Sequence, residues 1–485
     1  MNTGSNGSWP SPTPTSFRSP PPDLSNPYIP PINRLPICVF ARFFAHSACS
    51  LEANNALNRE FVPLRLTHVC APWRDFAVNM PWLWKRFALR ACVGKCGQAQ
   101  LAALCMERAR GGVSAIYKDL VLEEYIGMQY WVNDFTGLPS DTTVCHCVFD
   151  FLVRNLEYIK ELDLAIGQQA LQRIPALRTN VHAPSHLEVL RLAFLCDITS
   201  DESVAPLYQF APLRKLGWIP QRTLNNVPRM LAAPFSAPWG KLVVAELRGT
   251  PITRDAFMNI MYVSDSLQSL CVHIIGGALD TEHRPRAHRI IDYIMRTLHL
   301  EGFGSGPLDD VLAAMTLPNL RCFSLRATSA PFVAPGTLVA FLRRVKGGLE
   351  TFRLSPCSES DLMACIALPQ MSKVIDLSAM GCSKITERLI HVLQPGKTDS
   401  PPLLPELKIL SLATCNIQLD GVVAQMLKAR QRHGYALQDA TIHFGDETKH
   451  TEDIKTIDEY RIKDMDMLLA MRMNQEVIVS VPGLS

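Results

Sequence analysis

One apolar motif recurs through most of this chain and constrains its fold more than any other feature. The motif is apolar-x-x-apolar-x-apolar, as in Leu187/Leu190/Leu192. The last apolar residue of successive copies stands at positions 164, 192, 218, 247, 272, 300, 325, 354, 377 and 412, so the copies are 23 to 35 residues apart. One match arises often by chance in an apolar-rich chain, but a sustained spacing does not. The pattern therefore predicts one short strand per copy.

The segments between copies favour helices. Residues 253–263 and 386–393 have apolar side chains at helical spacing. A strand and a helix per 20 to 29 residues resembles the leucine-rich repeat, and LKILSLATCNI at 407–417 is the copy most like it. We therefore expect an irregular leucine-rich-repeat solenoid over residues 155–445. A capping helix or tail is expected at 446–485.

The N-terminal third has a different composition. Residues 1–33 are rich in Pro and Ser, which predicts a disordered tail. Residues 34–90 contain apolar side chains at helical spacing and predict a compact helical module, followed by a helical connecting region at 91–154. The expected fold class is thus α + α/β, a helical bundle joined to a repeat solenoid.

The helical module resembles a known family. LPICVFARFF followed by LTHVCAPWRDFAVNMPWLW is similar to the F-box as it occurs in many fungal proteins. Cys38 stands where that family usually has Glu. The resemblance implies docking on the Skp-type adaptor of a cullin ubiquitin ligase, through seven candidate residues: Leu35, Pro36, Val39, Phe40, Phe44, Val69 and Leu83.

The repeats then imply a surface for a protein substrate. Positions beside the strand leucines carry five cations, Arg191, Lys215, Arg248, Arg326 and Arg353, and five acids, Glu161, Asp163, Glu246, Glu301 and Asp376. This balance, with a net charge of +3 for 485 residues, favours a protein ligand over nucleic acid or a membrane. We expect a ligase adaptor in the cytoplasm or nucleus. A scaffold whose altered F-box no longer docks is the alternative.

No pattern of catalytic or metal-binding residues predicts an enzyme or a cofactor. Nucleophile elbows, Walker loops and H-E-x-x-H motifs are missing from the sequence, and GFGSG at 302–306 is typical of a turn. Cys145-His146-Cys147, with His182 and His186 downstream, does not have the spacing of paired zinc ligands, and the pair Cys92 and Cys96 has no obvious partner pair. We expect the cysteines to be reduced and mostly buried, and Trp73, Trp82 and Trp84 to lie in the core of the helical module.

Overall fold

The computed structural model describes residues 36–47, 61–90, 96–118, 145–178, 185–209, 211–220, 232–275, 290–303, 307–327, 333–334, 336–380, 385–395, 403–415, 421–444 and 478–480. The expected disordered tail at 1–33 lies outside these residues. Of the capping helix or tail expected at 446–485, the structure describes residues 478–480, which form a strand.

The architecture is organised by one large parallel sheet of 14 strands, whose order in the sheet follows their order in the chain. The strands are β1 (Arg86–Arg90), β2 (Val113–Lys118), β3 (Ile159–Ile166), β4 (Val189–Phe194), β5 (Lys215–Pro220), β6 (Val244–Thr253), β7 (Ser269–Ile275), β8 (Ile290–Ile291), β9 (Thr297–Phe303), β10 (Met315–Thr316), β11 (Cys322–Ala327), β12 (Thr351–Ser355), β13 (Asp376–Ala379), β14 (Ile409–Cys415), β15 (Asp439–Phe444) and β16 (Ile478–Ser480). Only β8 and β10 stand apart, as a separate parallel pair.

Helices precede and connect the strands. They are α1 (Ile37–Ser47), α2 (Val62–Thr67), α3 (Ala71–Val78), α4 (Gly97–Ala109), α5 (Cys147–Arg154), α6 (Gln168–Arg178), α7 (Arg254–Val263), α8 (Pro307–Ala314), α9 (Thr337–Leu342), α10 (Glu359–Ile366), α11 (Glu387–Leu393) and α12 (Val422–Arg432). Ser and Thr side chains explain several starts. Thr253 caps α7 by accepting from the Ala256 N–H, and Ser358 caps α10 by accepting from that of Asp361. Among the described helices, none has the length and apolarity to cross a membrane.

The core lies on one face of the sheet. Alternate strand residues are buried there, for example Leu298 and Leu300 of β9, and equivalent residues of neighbouring strands are in register. Leu325 pairs with Leu300 on one side and Leu354 on the other. Each such leucine stabilises the fold by about 1.5–3 kcal/mol relative to an exposed one. We call the opposite face, which carries the alternating and more exposed residues, the open face.

The expected fold class, a helical bundle followed by an irregular solenoid, is wrong. The finding that overturns it is the single parallel sheet of an α/β fold, which starts at Arg86 and continues through β2, in a part of the chain expected to be helical. The sequence reasoning missed β1 because Trp84 was assigned to the helical module, although Trp84, Phe87 and Leu89 fit the apolar motif. It missed β2 because Gly112 replaces the leading apolar residue.

The expected position of one strand also needs correction. The motif placed the last apolar residue of β13 at Leu377, but Leu377 pairs with Phe352 and Leu410, which occupy the middle position. Ala379 is the residue that pairs with Leu354 and Leu412. The small side chain of Ala379 hid this register, which is two residues later than predicted.

A buried arginine fixes the chain between α11 and β14. Arg430 of α12 is fully buried, and its guanidinium donates to the carbonyl oxygens of Leu393, Leu404 and Tyr435 at 2.8 to 3.2 Å. Burial lowers the pKa of Arg430 to about 10, so it is still charged at neutral pH. Its guanidinium thus joins carbonyl oxygens from three places in the chain through hydrogen bonds.

Candidate protein-binding surfaces

The α1 helix presents apolar side chains to solvent. Val39 and Phe43 lie four residues apart on one side of the helix and are 41% and 53% exposed. Val69, just before α3, is 58% exposed. We call Val39, Phe43 and Val69 the apolar surface. Clustered exposure of this kind marks sites of protein contact more often than isolated exposed residues do.

Aromatic packing beneath α1 holds the apolar surface in place. Phe44 is fully buried, and its ring centroid lies 5.2 Å from that of Trp73 and 5.4 Å from that of Phe76. The side chain of Arg74 donates to the Thr67 carbonyl at 2.9 Å and so fixes the corner between α2 and α3. Trp73 and Arg74 of the V-C-x-x-W-R block thus support the apolar surface.

Trp84 connects these helices to the sheet. It is fully buried, and its indole N–H donates to the Ala77 carbonyl at 2.8 Å. Its ring lies beside Phe61 and under the guanidinium of Arg108, which belongs to α4. Trp73 and Trp84 are core residues, as predicted. The same prediction is wrong for Trp82, which is 38% exposed because the turn at 81–84 points it outward.

The seven predicted adaptor-binding residues fall into three groups. Pro36, Val39 and Val69 are exposed. Phe44 and Leu83 are 0% and 2% exposed, so their expected contact with a partner is corrected to a supporting role in the core. Leu35 and the side chain of Phe40 lie outside the described residues.

All five predicted cations of the substrate surface lie exposed on the open face of the sheet: Arg191, Lys215, Arg248, Arg326 and Arg353. Most have an acidic neighbour. Arg353 forms an ion pair with Asp376 at 2.5 Å, Arg248 with Glu246 at 3.6 Å, and Arg191 stands directly beside Asp163 across the strands. The result is a surface that carries charges of both signs. Such a surface suits a partner with charges of both signs.

Histidines and a cysteine occupy the middle of the open face. Burial lowers the pKa of His299, and Arg248 and Arg353 lower it further, while burial alone is the main cause of the lowered pKa of His273. Burial raises the pKa of the Cys271 thiol to about 11. These groups are therefore neutral at pH 7, and the Cys271 thiol is not activated as a nucleophile.

A cleft of about 470 Å³ lies at the amino ends of the strands. Its lining combines the exposed side chains of Tyr293 and Ile294 with Arg296, Arg321 and Lys373. Sequence reasoning missed this cleft. Arg296 and Arg321 each directly follow the first apolar residue of their copy of the motif, and this periodic position is the signal that could have found it.

Three cysteines that the sequence analysis treats separately are close together. The Sγ atoms of Cys96, Cys145 and Cys147 all lie within 4.8 Å of one another. His186 is exposed, and Cys92 and His182 lie outside the described residues. Among the described residues, Cys357 departs from the expectation of reduced cysteines, because it is disulfide-bonded.

Comparison with known proteins adds no relative. No protein-family model matches the chain, and a search of curated proteins finds no match either.

Proposed function

We propose that this protein is a substrate-recognition adaptor of a Skp/cullin-type ubiquitin ligase and has no catalytic role of its own. In this proposal the helices α1–α3 bind the Skp-type adaptor, and the open face of the sheet binds a protein substrate. The observation that carries the proposal is the apolar surface on α1, because Val39 and Phe43 are exposed above a packed aromatic core.

The support for the adaptor contact is physical as well as sequence-based. An exposed helix with apolar residues at i and i+4 can pack against helices of a partner, as in other helix-based recognition. The residues that resemble the F-box pattern include Val39 and Val69, two of the three members of the apolar surface. Cys38, which replaces the usual Glu, is exposed on the same helix, so an acidic contact of the family is lost here.

The open face supports the substrate contact. Its exposed cations stand among partly exposed acids, and charged interfaces of this type contribute more to specificity and association rate than to affinity. A substrate bound here would carry charges of both signs, placed to replace or extend the ion pairs of Arg248 and Arg353.

Binding of the full chain to a purified Skp-type adaptor tests the proposal. Replacing Val39 and Phe43 together by Asp removes two central apolar contacts, which should weaken the adaptor complex by about 100-fold or more. The matched control is Tyr262→Asp on α7, where a side chain that is 78% exposed lies far along the chain from α1. This control should bind normally.

Two results would contradict the proposal. Wild-type protein that does not bind the adaptor would favour the alternative of a scaffold without ligase contact. Equal binding by the Val39/Phe43 variant and wild type would place the contact elsewhere. Circular dichroism of each variant separates loss of binding from loss of folding.

A further inference from the structure

The three clustered cysteines are positioned by the starts of two helices. Cys96 is the residue that caps α4, and Cys147 is the first residue of α5, with Cys145 two positions earlier. The Cys96 and Cys145 Sγ atoms are 3.3 Å apart, and the third thiol lies within 4.8 Å of both. Two chain segments separated by 49 residues therefore supply the group.

The spacing of the sulfur atoms fits a shared metal ion. Tetrahedral zinc with Zn–S bonds of about 2.3 Å places its sulfur ligands about 3.8 Å apart. The Cys96 and Cys145 sulfur atoms are 3.3 Å apart, and all three sulfur atoms lie within 4.8 Å of one another, so small shifts would bring them to this separation. A disulfide would instead require about 2.05 Å between two sulfurs and would leave the third without a role.

The surroundings of the cluster act differently on its individual thiols. The N-termini of α4 and α5 direct the positive ends of their helix dipoles toward the sulfur atoms. A hydrogen bond from the Cys147 backbone N–H is the main cause of the lowered pKa of Cys145. Hydrogen bonds with the other two thiols raise the pKa of Cys96 to about 11, so Cys96 keeps its proton until a cation displaces it.

Charged side chains stand behind the thiols. Arg173 of α6 donates to the Asp150 carboxylate of α5, with 2.8 Å between Nε and Oδ1. Both interact electrostatically with Cys145. This ion pair orients α5 against α6 and keeps the first turn of α5 in position below the cluster.

We propose that Cys96, Cys145 and Cys147 bind one zinc ion, which fastens the start of α4 to the start of α5. Soft thiolate ligands select zinc over magnesium or calcium. The three thiolates fill three positions of a tetrahedron, and a fourth ligand from outside this trio completes it. Because α4 contacts Trp84 through Arg108, the ion would also stabilise the connection between the helices and the sheet. This site is independent of the proposed ligase contact.

Metal analysis of the full-length protein, purified with reductant and reconstituted with zinc chloride, tests the site directly. We expect about one zinc per chain and, with cobalt in place of zinc, the charge-transfer absorption of thiolate-bound tetrahedral cobalt. Zinc should be released as pH falls, because protons compete for the thiolates. Wild-type protein that binds no zinc under these conditions would overturn the proposal.

Serine variants identify the ligands. Cys96→Ser removes one sulfur, yet serine is a favoured helix cap, so α4 should still form. Cys96→Ser and Cys147→Ser should each lower the zinc affinity at least 10-fold and weaken the cobalt charge-transfer band, because one of three Co–S bonds is lost. Cys38→Ser, at an exposed cysteine of α1, should leave both unchanged. If both cluster variants bind zinc as tightly as the wild type, the assignment of these cysteines as zinc ligands is wrong. A Cys96–Cys145 disulfide found by mass spectrometry in metal-free protein after reduction and dialysis would contradict the assignment too.

Discussion

The helices α1–α3 and the open face of the sheet differ in the kind of side chain they expose. The helices expose apolar residues, Val39, Phe43 and Val69. The open face exposes charged residues such as Arg191 and Arg353, many with an acidic neighbour. Binding at the first surface would be stabilised by apolar burial and at the second by electrostatic complementarity. The comparison indicates that one chain can carry two candidate interfaces, one suited to apolar burial and the other to electrostatic complementarity.

The cause lies in how each region forms its core. In the sheet, successive side chains alternate between the two faces, and the leucines lie on the helix-covered face. The residues between the leucines therefore lie on the open face. The α1 helix buries Phe44 against Trp73 and Phe76 of α3, whereas Val39 and Phe43 are 41% and 53% exposed.

The largest expected effect comes from breaking the sheet core. Leu354→Asp would place a charge without a partner between Leu325 and Ala379, at a site that is 2% exposed, and should cost several kcal/mol of unfolding free energy. Because each strand contacts mainly its neighbours, hydrogen exchange should accelerate first in β11–β13. The amides of α2 and α3 should keep their protection.

Arg353→Gln is the matched control, since Arg353 precedes Leu354 on the same strand but faces the open side. Loss of its ion pair with Asp376, in which the arginine side chain is 53% and the aspartate side chain 13% exposed, should cost on the order of 1 kcal/mol. Uniform loss of protection in Leu354→Asp, including α2 and α3, would mean that the two regions unfold as one unit.

The sequence was enough to predict local structure but not its division into larger units. Alternation of apolar residues located most strands, because a buried leucine at every second position leaves few other solutions. The alternation did not locate β2, where Ala115 and Tyr117 occupy the buried positions that leucines occupy in other strands. The continuity of the sheet across residues 86–118 depends on pairing between distant segments, which a local pattern does not encode.

The candidate sites also include features that the sequence pattern predicted and features that it did not. Exposure of the five open-face cations followed from alternation alone. The thiol cluster did not, since Cys96 and Cys145 are 49 residues apart and meet only because α4 and α5 start at the same place. The burial of Phe44 was also hidden, because helical spacing does not say which apolar residue faces the core when most of a helix is apolar.

A smaller effect is expected from the histidines of the open face. Burial lowers the pKa of both His273 and His299 below the ordinary 6.5, so the unfolded chain binds protons more readily. Their contribution to stability is complete at neutral pH and is lost as pH falls through 6.5 toward the lowered pKa. Denaturant unfolding across this range should show the decline.

Replacing both histidines by Gln should flatten that decline, whereas His433→Gln, at an exposed histidine after α12, should not. An unchanged pH dependence in the double variant would assign the decline to other groups. It would also mean that the open face is more hydrated than its geometry indicates.

The smallest effect should come from the apolar surface itself. Val39→Ser and Val69→Ser, combined in one chain, remove side chains that are 41% and 58% exposed, so the unfolding free energy should change by no more than about 0.5 kcal/mol per site. Phe44→Ser on the same helix should cost on the order of 3–5 kcal/mol, because its ring is fully buried against Trp73 and Phe76. Chemical denaturation of the three proteins measures both values. If the exposed pair costs as much as Phe44→Ser, another part of this chain covers α1, and the surface belongs to the core. A near-zero cost together with weakened adaptor binding would instead leave an external partner as the reason for these apolar side chains.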